Sequence, residues 1–197
     1  MPHFQRGDLW TAFAPTNLFL ITTNSTIRKD GALIMGRGIA QQARDRFPGL
    51  DVVLGKQILS LCGQKGQYGL LVSPRWPEAK LGAFQIKGHY SQPASLKLIH
   101  HSTTRLCEWC TAHPDAQVVL NFPGIGNGSL CREVVLPIIA QLPKQVTVWE
   151  YLPTGKRIYR DKFLLEITGK LALVETMLES PIPALITTLL RLSGSCW

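Results

Sequence analysis

Two glycine-rich stretches are the parts of this sequence best suited to chemistry, Gly36-Arg37-Gly38 and Gly124-Ile125-Gly126-Asn127-Gly128. Each follows a short apolar run and precedes a segment with helical periodicity. Glycine permits close backbone approach, and the free amides at a helix start attract anions, so each stretch predicts a phosphate-binding loop. If both lie at the carboxyl edge of one parallel sheet, they face each other and clamp a diphosphate. Glycines that merely end strands would explain one such loop more easily than two in matching positions. Neither stretch is a P-loop, because no Gly-Lys-Ser or Gly-Lys-Thr follows, and neither fits G-x-G-x-x-G. ATP hydrolysis and hydride transfer lose ground accordingly.

Other reactive residues show less pattern. Lys80, Lys87 and His89 fall in an irregular stretch, residues 74–92, and read as solvated groups that could approach a bound sugar. Cys107 and Cys110 form a C-x-x-C, but no second pair lies nearby and His113 could only complete a three-ligand cluster. Ordinary thiols on a helix are favoured over zinc or redox chemistry. His100 and His101 are helical neighbours pointing about 100° apart, which disfavours a joint metal site. No metal and no cofactor is expected.

The elements that must position the loops alternate in type. Residues 17–22 (NLFLIT) and 117–122 (QVVLNF) are continuous apolar runs, the pattern of strands buried on both faces. Residues 68–73 and 145–151 read as two more strands, with a shorter candidate at 83–86 inside the irregular stretch. Helical spacing begins at Gly38 and stops at Pro48-Gly49. It recurs over 52–61, over 95–110 with Ser95 as cap, and over 130–142. This alternation predicts an α/β fold, a three-layer α/β/α sandwich with a mostly parallel mixed central sheet. On this reading residues 1–152 form the domain, and 153–197 form a C-terminal extension, partly helical and packed on it.

Composition narrows the class. A chain of 197 residues, 45% hydrophobic and 17% charged, suits one globular domain with an appendage. The formal net charge of +8 favours phosphate-bearing partners, and direct nucleic-acid contact stays open, although no run of like charges marks a DNA-binding tail. Five irregularly spaced cysteines argue against a disulfide framework and predict a cytoplasmic location. No membrane association is expected: the start lacks a secretory signal, and Glu175, Glu179, Pro181 and Pro183 break the apolar segment 171–192.

Taken in order, five strings resemble a macrodomain, the ADP-ribose-binding family. They are Gly7-Asp8-Leu9, LITTNST at 20–26, MGRGIAQQARDRFPG at 35–49, NFPGIGNGS at 121–129 and VTVWEY at 146–151. The likeness is closest to the branch containing ADP-ribose-1''-phosphate phosphatases, terminal ADP-ribose protein hydrolases and DNA ADP-ribosyl glycohydrolases. The resemblance implies that Asp8 accepts a hydrogen bond from the adenine amino group, that Leu9 adds a backbone contact, and that Tyr151 stacks on the adenine. Asn24 matches the last asparagine of the family's ribose loop, whose first asparagine is replaced here by Ile21. Gly36, Gly38, Ile39 and Ala40 would offer amides to the proximal phosphate. Gly124, Ile125, Gly126, Asn127 and Gly128 would wrap the distal phosphate and ribose.

The same resemblance leaves catalysis open. The hydrolases of the terminal branch use a lysine, expected here just after residues 70–73, and an aspartate just after the second glycine loop. Those positions read Ser73-Pro74-Arg75 and Ser129-Leu130. A lysine adduct is therefore not expected, and hydrolysis would rely on a water held by the substrate phosphate and Asn24, the catalytic candidate. The implied partners are ADP-ribose or an ADP-ribosylated protein or nucleic acid. Three readings remain: a hydrolase or 1''-phosphatase, a non-catalytic ADP-ribose reader, and a basic nucleic-acid-binding module.

Overall fold

Strand β2 (Leu18–Thr23) is buried at every position, because helices cover both faces of the sheet it centres. Side chains alternate across a strand, so β2 feeds two cores. Leu18 and Leu20 pack with Phe84, Leu120, Ile99 and Val135 beneath helices α3 (Leu96–Ala112) and α4 (Arg132–Ile139). Phe19 and Ile21 pack with Ala83, Val119, Ala43 and Ile58 beneath α1 (Gly38–Arg46) and α2 (Leu50–Cys62). The computed structural model describes residues 1–64 and 66–151.

Around β2 stand β1 (His3–Arg6), β3 (Leu70–Leu71), β4 (Leu81–Gln85), β5 (Val118–Asn121) and β6 (Val146–Glu150), in the order β1-β6-β5-β2-β4-β3. All neighbours run parallel except β3, which pairs antiparallel with β4. The result is the expected three-layer sandwich on a mixed, mostly parallel sheet. The expected extension over 153–197 lies outside the described residues.

Two strands differ from the sequence reading, and both differences bear on function. The strand expected over 68–73 contracts to Leu70–Leu71, because the amides of Tyr68 and Gly69 donate to the Gln85 carboxamide oxygen instead of to a ladder, at 2.8 and 3.1 Å. The weak candidate at 83–86 is a five-residue interior strand, β4, paired with β2 along its whole length. Its Gly82 is packed too closely for a side chain: a Cβ there would sit 2.9 Å from Leu20 Cδ2. A short 3-10 turn, Leu9–Ala12, was not foreseen.

Helix α2 and the loop after β2 meet at Gly55. A Cβ at this position would collide with the Gly31 carbonyl oxygen and lie 2.8 Å from the Leu33 amide nitrogen. That amide is itself bonded to the Asp51 carbonyl at 2.9 Å. Gly55→Ala is expected to lower the unfolding free energy by about 1–3 kcal/mol, the cost of overpacking outweighing alanine's better helix propensity. Urea denaturation checks this, and an unchanged midpoint would refute the close approach.

Candidate functional site

The carboxyl ends of β1, β6, β5, β2 and β4 share one edge, because these strands are parallel. The chain leaves β2 toward β3 and β4 on one side, and leaves β5 toward β6 on the other. The gap between β2 and β5 is thus the switch point, where α/β sheets open a crevice. Here the backbone ladder is replaced by a side chain: Asn121 Oδ1 accepts from the Thr22 amide at 2.8 Å, and its Nδ2 donates to Thr22 Oγ1 at 2.8 Å. Both glycine loops emerge beside this junction.

The first loop ends at Arg37, the N-cap of α1, which makes no capping hydrogen bond. The first intrahelical bond of α1 is made by the Gln41 amide, so the amides of Gly38, Ile39 and Ala40 lack protein acceptors among the described residues. Helix α3, by contrast, is capped by Ser95 Oγ, which accepts from the Leu98 amide at 3.4 Å. Gly38 has φ of 59°, and a Cβ on it would lie 2.9 Å from Asn127 Nδ2. The two glycine loops therefore touch, through Gly38 and Asn127. A Cβ on Gly36 would meet nothing within 4 Å.

The second loop curls tightly through bonds from the Ser129 amide to the Gly126 carbonyl (2.9 Å) and from the Leu130 amide to the Gly124 carbonyl (3.0 Å). Gly124 and Gly128 are buried, whereas Gly126 and Asn127 are exposed and Ile125 is half-buried. A Cβ at Gly124 would lie 2.9 Å from both Ile99 Cδ1 and Leu130 Cδ1, so this glycine serves packing.

The other expected residues line the same edge. Asp8 and Leu9 follow β1, and Tyr151, 65% exposed, follows β6. Asp8 Oδ1 is occupied as the cap of the 3-10 turn, accepting from the Trp10 amide at 3.0 Å. Asn24 is 8% exposed and braces the β2 loop. Its Nδ2 donates to the Ile34 carbonyl and its Oδ1 accepts from the Thr26 amide, both at 2.8 Å. One N–H and one lone pair of that amide are left for a ligand.

The lysines separate cleanly. Because β3 is antiparallel, residues 73–75 lie at the opposite edge of the sheet from the glycine loops, so a lysine sought there could never meet them. Lys80 lies at that opposite edge too, its Nζ donating to the carbonyls of Ala14 (2.8 Å) and Thr16 (3.3 Å). Lys87, just beyond parallel β4, is the lysine at the site. Its Nζ donates to the Asn127 carbonyl at 2.6 Å. Burial, then the nearby Arg37 guanidinium, hold its pKa below the ordinary lysine value. Neither cation has a carboxylate partner among the described residues. The C-x-x-C thiols sit on α3 and are poor thiolates: burial raises both, Cys110 to about 12.

A sheet of this order, with helices on both faces and two glycine loops at its switch point, is an α/β/α sandwich. Solved structures of the same architecture are macrodomains, and this chain has the macrodomain fold. It is similar to the macrodomain of Thermus aquaticus DarG, at 22% identity and TM-score 0.54 over 78% of this chain and 99% of that one. The macrodomain of Mycobacterium tuberculosis DarG gives 26% identity and TM-score 0.57 over 78% and 99%. Thermosipho africanus DarTG in complex with ADP-ribose gives 22% and 0.59, over 83% of this chain and 46% of that longer one. No protein-family model and no curated protein matches the chain.

Burial of Lys87, and after it the repulsion from Arg37, set a pH dependence. Lys87 holds its proton less tightly in the folded chain than in the unfolded one, so its charge opposes folding at low pH. That penalty is relieved as pH rises from the folded toward the unfolded value. Arg37→Gln is expected to move the Lys87 titration up but not back to the ordinary value, because burial remains. NMR of the lysine Cε resonances reads this directly, and an unmoved midpoint would exclude the Arg37 contribution.

Proposed function

We propose that this chain binds ADP-ribose along the carboxyl edge of its sheet and hydrolyses the ADP-ribosyl group from a protein or nucleic-acid acceptor, with Lys87 at the reacting end. The observation that carries the reading is the convergence of both glycine loops and Lys87 on Asn127. Uncapped amides, Arg37 and Lys87 make a cationic junction that a diphosphate neutralises. From β1 to β4 the edge spans four strand spacings, about 19 Å, enough for an extended nucleotide diphosphate sugar. Adenine lies toward Asp8, Leu9 and Tyr151, with Asp8 Oδ2 left to accept from its amino group. The diphosphate lies over Gly36–Ala40 and Gly124–Gly128, and the distal ribose toward Asn24 and Lys87. That a neighbour of the same fold is solved with ADP-ribose supports the ligand.

The depressed proton affinity of Lys87 increases its free-amine fraction at neutral pH, which is what a nucleophile requires. The amine nitrogen attacks the anomeric carbon of the distal ribose. The acceptor departs with the electron pair of its bond to that carbon and receives the proton released by nitrogen. Water then cleaves the new carbon–nitrogen bond, freeing ADP-ribose and restoring the amine. The loop amides stabilise the charge carried by the phosphates through both steps.

A reader without turnover is the second reading. Two observations favour it: Ser129-Leu130 place no carboxylate after the second loop, and the Lys87 ammonium is already engaged by Asn127. Calorimetry with ADP-ribose is expected to show micromolar binding. Asn24→Ala and Gly36→Ala should each weaken it about tenfold, the first by loss of an amide and the second by a methyl group in the open space of the cleft. Turnover of ADP-ribosylated DNA and protein should disappear in Lys87→Met. The absence of wild-type binding would sink the whole reading, while binding without turnover of either substrate would leave the reader.

A further inference from the structure

The nucleophile of the proposed reaction is a long, flexible side chain on a loop, and its placement depends on what fixes its backbone. Close to that backbone stands Gln85, the last residue of β4, which is fully buried. Its carboxamide oxygen accepts from the amides of Tyr68 (2.8 Å) and Gly69 (3.1 Å). Its nitrogen is shared among Ser25 Oγ at 3.2 Å, the Gly66 carbonyl at 3.0 Å and the Lys87 carbonyl at 3.3 Å. Ser25 Oγ in turn donates to the Gly88 carbonyl at 3.1 Å. The backbone at Lys87 is therefore held at two successive carbonyls, its own by Gln85 and the next by Ser25 together with Thr26.

We infer that Gln85 is a positioning residue: through its carboxamide it ties the loop after β2 to the loop after β4 and so sets Lys87 against Asn127 and the ribose end of the cleft. The inference rests on the proposed reading for its catalytic meaning, but its physical content concerns Lys87 alone. An apolar side chain would fill the same volume as Gln85 and bridge nothing. A strand-ending glutamine with every donor and acceptor spent on loops is thus a device for geometry. Across the junction on the first glycine loop Arg37 faces Lys87, and on its own loop the titratable neighbours are His89, whose Nδ1 is paired with Ser91 Oγ at 2.8 Å, and Tyr90, whose ring packs on His89.

Gln85→Met tests this in the full chain, since it keeps side-chain length and removes the five bonds just described. The Lys87 titration, followed by lysine Cε NMR and assigned with Lys87→Met, is expected to move up by about 0.5 pH unit or more as the amine leaves its partly buried place beside Arg37. Turnover is expected to fall about tenfold while the ADP-ribose dissociation constant stays within about threefold, because the glycine loops are untouched. A folded Gln85→Met with an unmoved Lys87 titration overturns the proposal, even if thermal stability has dropped. Should Gln85→Met fail to fold, Ser25→Ala removes the Ser25 hydroxyl's bonds to the Gln85 carboxamide and to the Gly88 carbonyl, while Thr26 Oγ1 still donates to Gly88; a smaller upward shift supports the proposal and no shift overturns it. If wild type neither binds nor turns over ADP-ribose derivatives, the functional reading fails, and the Lys87 titration still decides the role of Gln85.

Discussion

Everything at the candidate site follows from the parting of β2 and β5. Up to Leu20 the two strands are paired in ordinary parallel register with Leu120. One step later the Asn121 carboxamide takes over, bonding the Thr22 amide and hydroxyl so that this buried amide keeps a partner where the strands separate. The substitution of a side chain for a ladder lets two loops rise side by side instead of crossing. Both are followed by helices on opposite faces of the sheet, because right-handed crossovers carry the chain away from the centre in the two directions. The parting is a consequence of topology, and Asn121 satisfies the Thr22 amide where it occurs.

The loops themselves divide their glycines between two tasks. Gly124 and Gly128 are pressed against Ile99, Leu130 and Ala94, so they hold the second loop on the start of α3. Gly36 and Gly126 face open space; Gly126, with φ of 67°, is called for by its left-handed backbone, while neither packing nor backbone conformation accounts for Gly36. The same division appears at the helix starts, where α3 is capped by Ser95 and α1 is left without a cap. An uncapped, cation-flanked helix start next to bare glycines sacrifices local stability, which is the usual mark of a surface built for a ligand.

How much of this the sequence disclosed varied with the range of the interaction involved. The buried runs at β2 and β5, the glycine loops and the helix starting at Gly38 were all legible, since each is a local pattern. Strand β4 was legible only as a shorter candidate at 83–86, because LGAFQ lies between proline- and glycine-rich segments and its full length and interior place depend on pairing with β2. The direction of β3 was equally hidden, and with it the position of any useful lysine. A lysine sought after residues 70–73 is sought at the wrong edge of the sheet. Nothing in IKGHYS distinguishes Lys87 from a solvated surface group; its contact with Asn127 spans forty residues of sequence. Asn24 was legible as a loop residue after β2, but its bracing of Ile34 and Thr26 required the folded loop to be seen.

On the proposed reading, Lys87 faces two demands that oppose each other. Attack on the ribose requires the free amine, which burial and Arg37 favour. The diphosphate that fills the glycine loops favours the ammonium, because an opposite charge nearby stabilises the protonated form. Ligand binding and proton uptake at Lys87 are therefore linked, and the balance depends on how far the amine is held from the phosphates. A side chain left to itself would swing onto the phosphates and become a clamp, leaving the chain a reader. The Gln85 carboxamide, with Ser25 behind it, holds the base of Lys87 toward the ribose end instead. On this reading, whether the chain binds or cuts turns on where one amine is held, and the fully buried Gln85 governs that position.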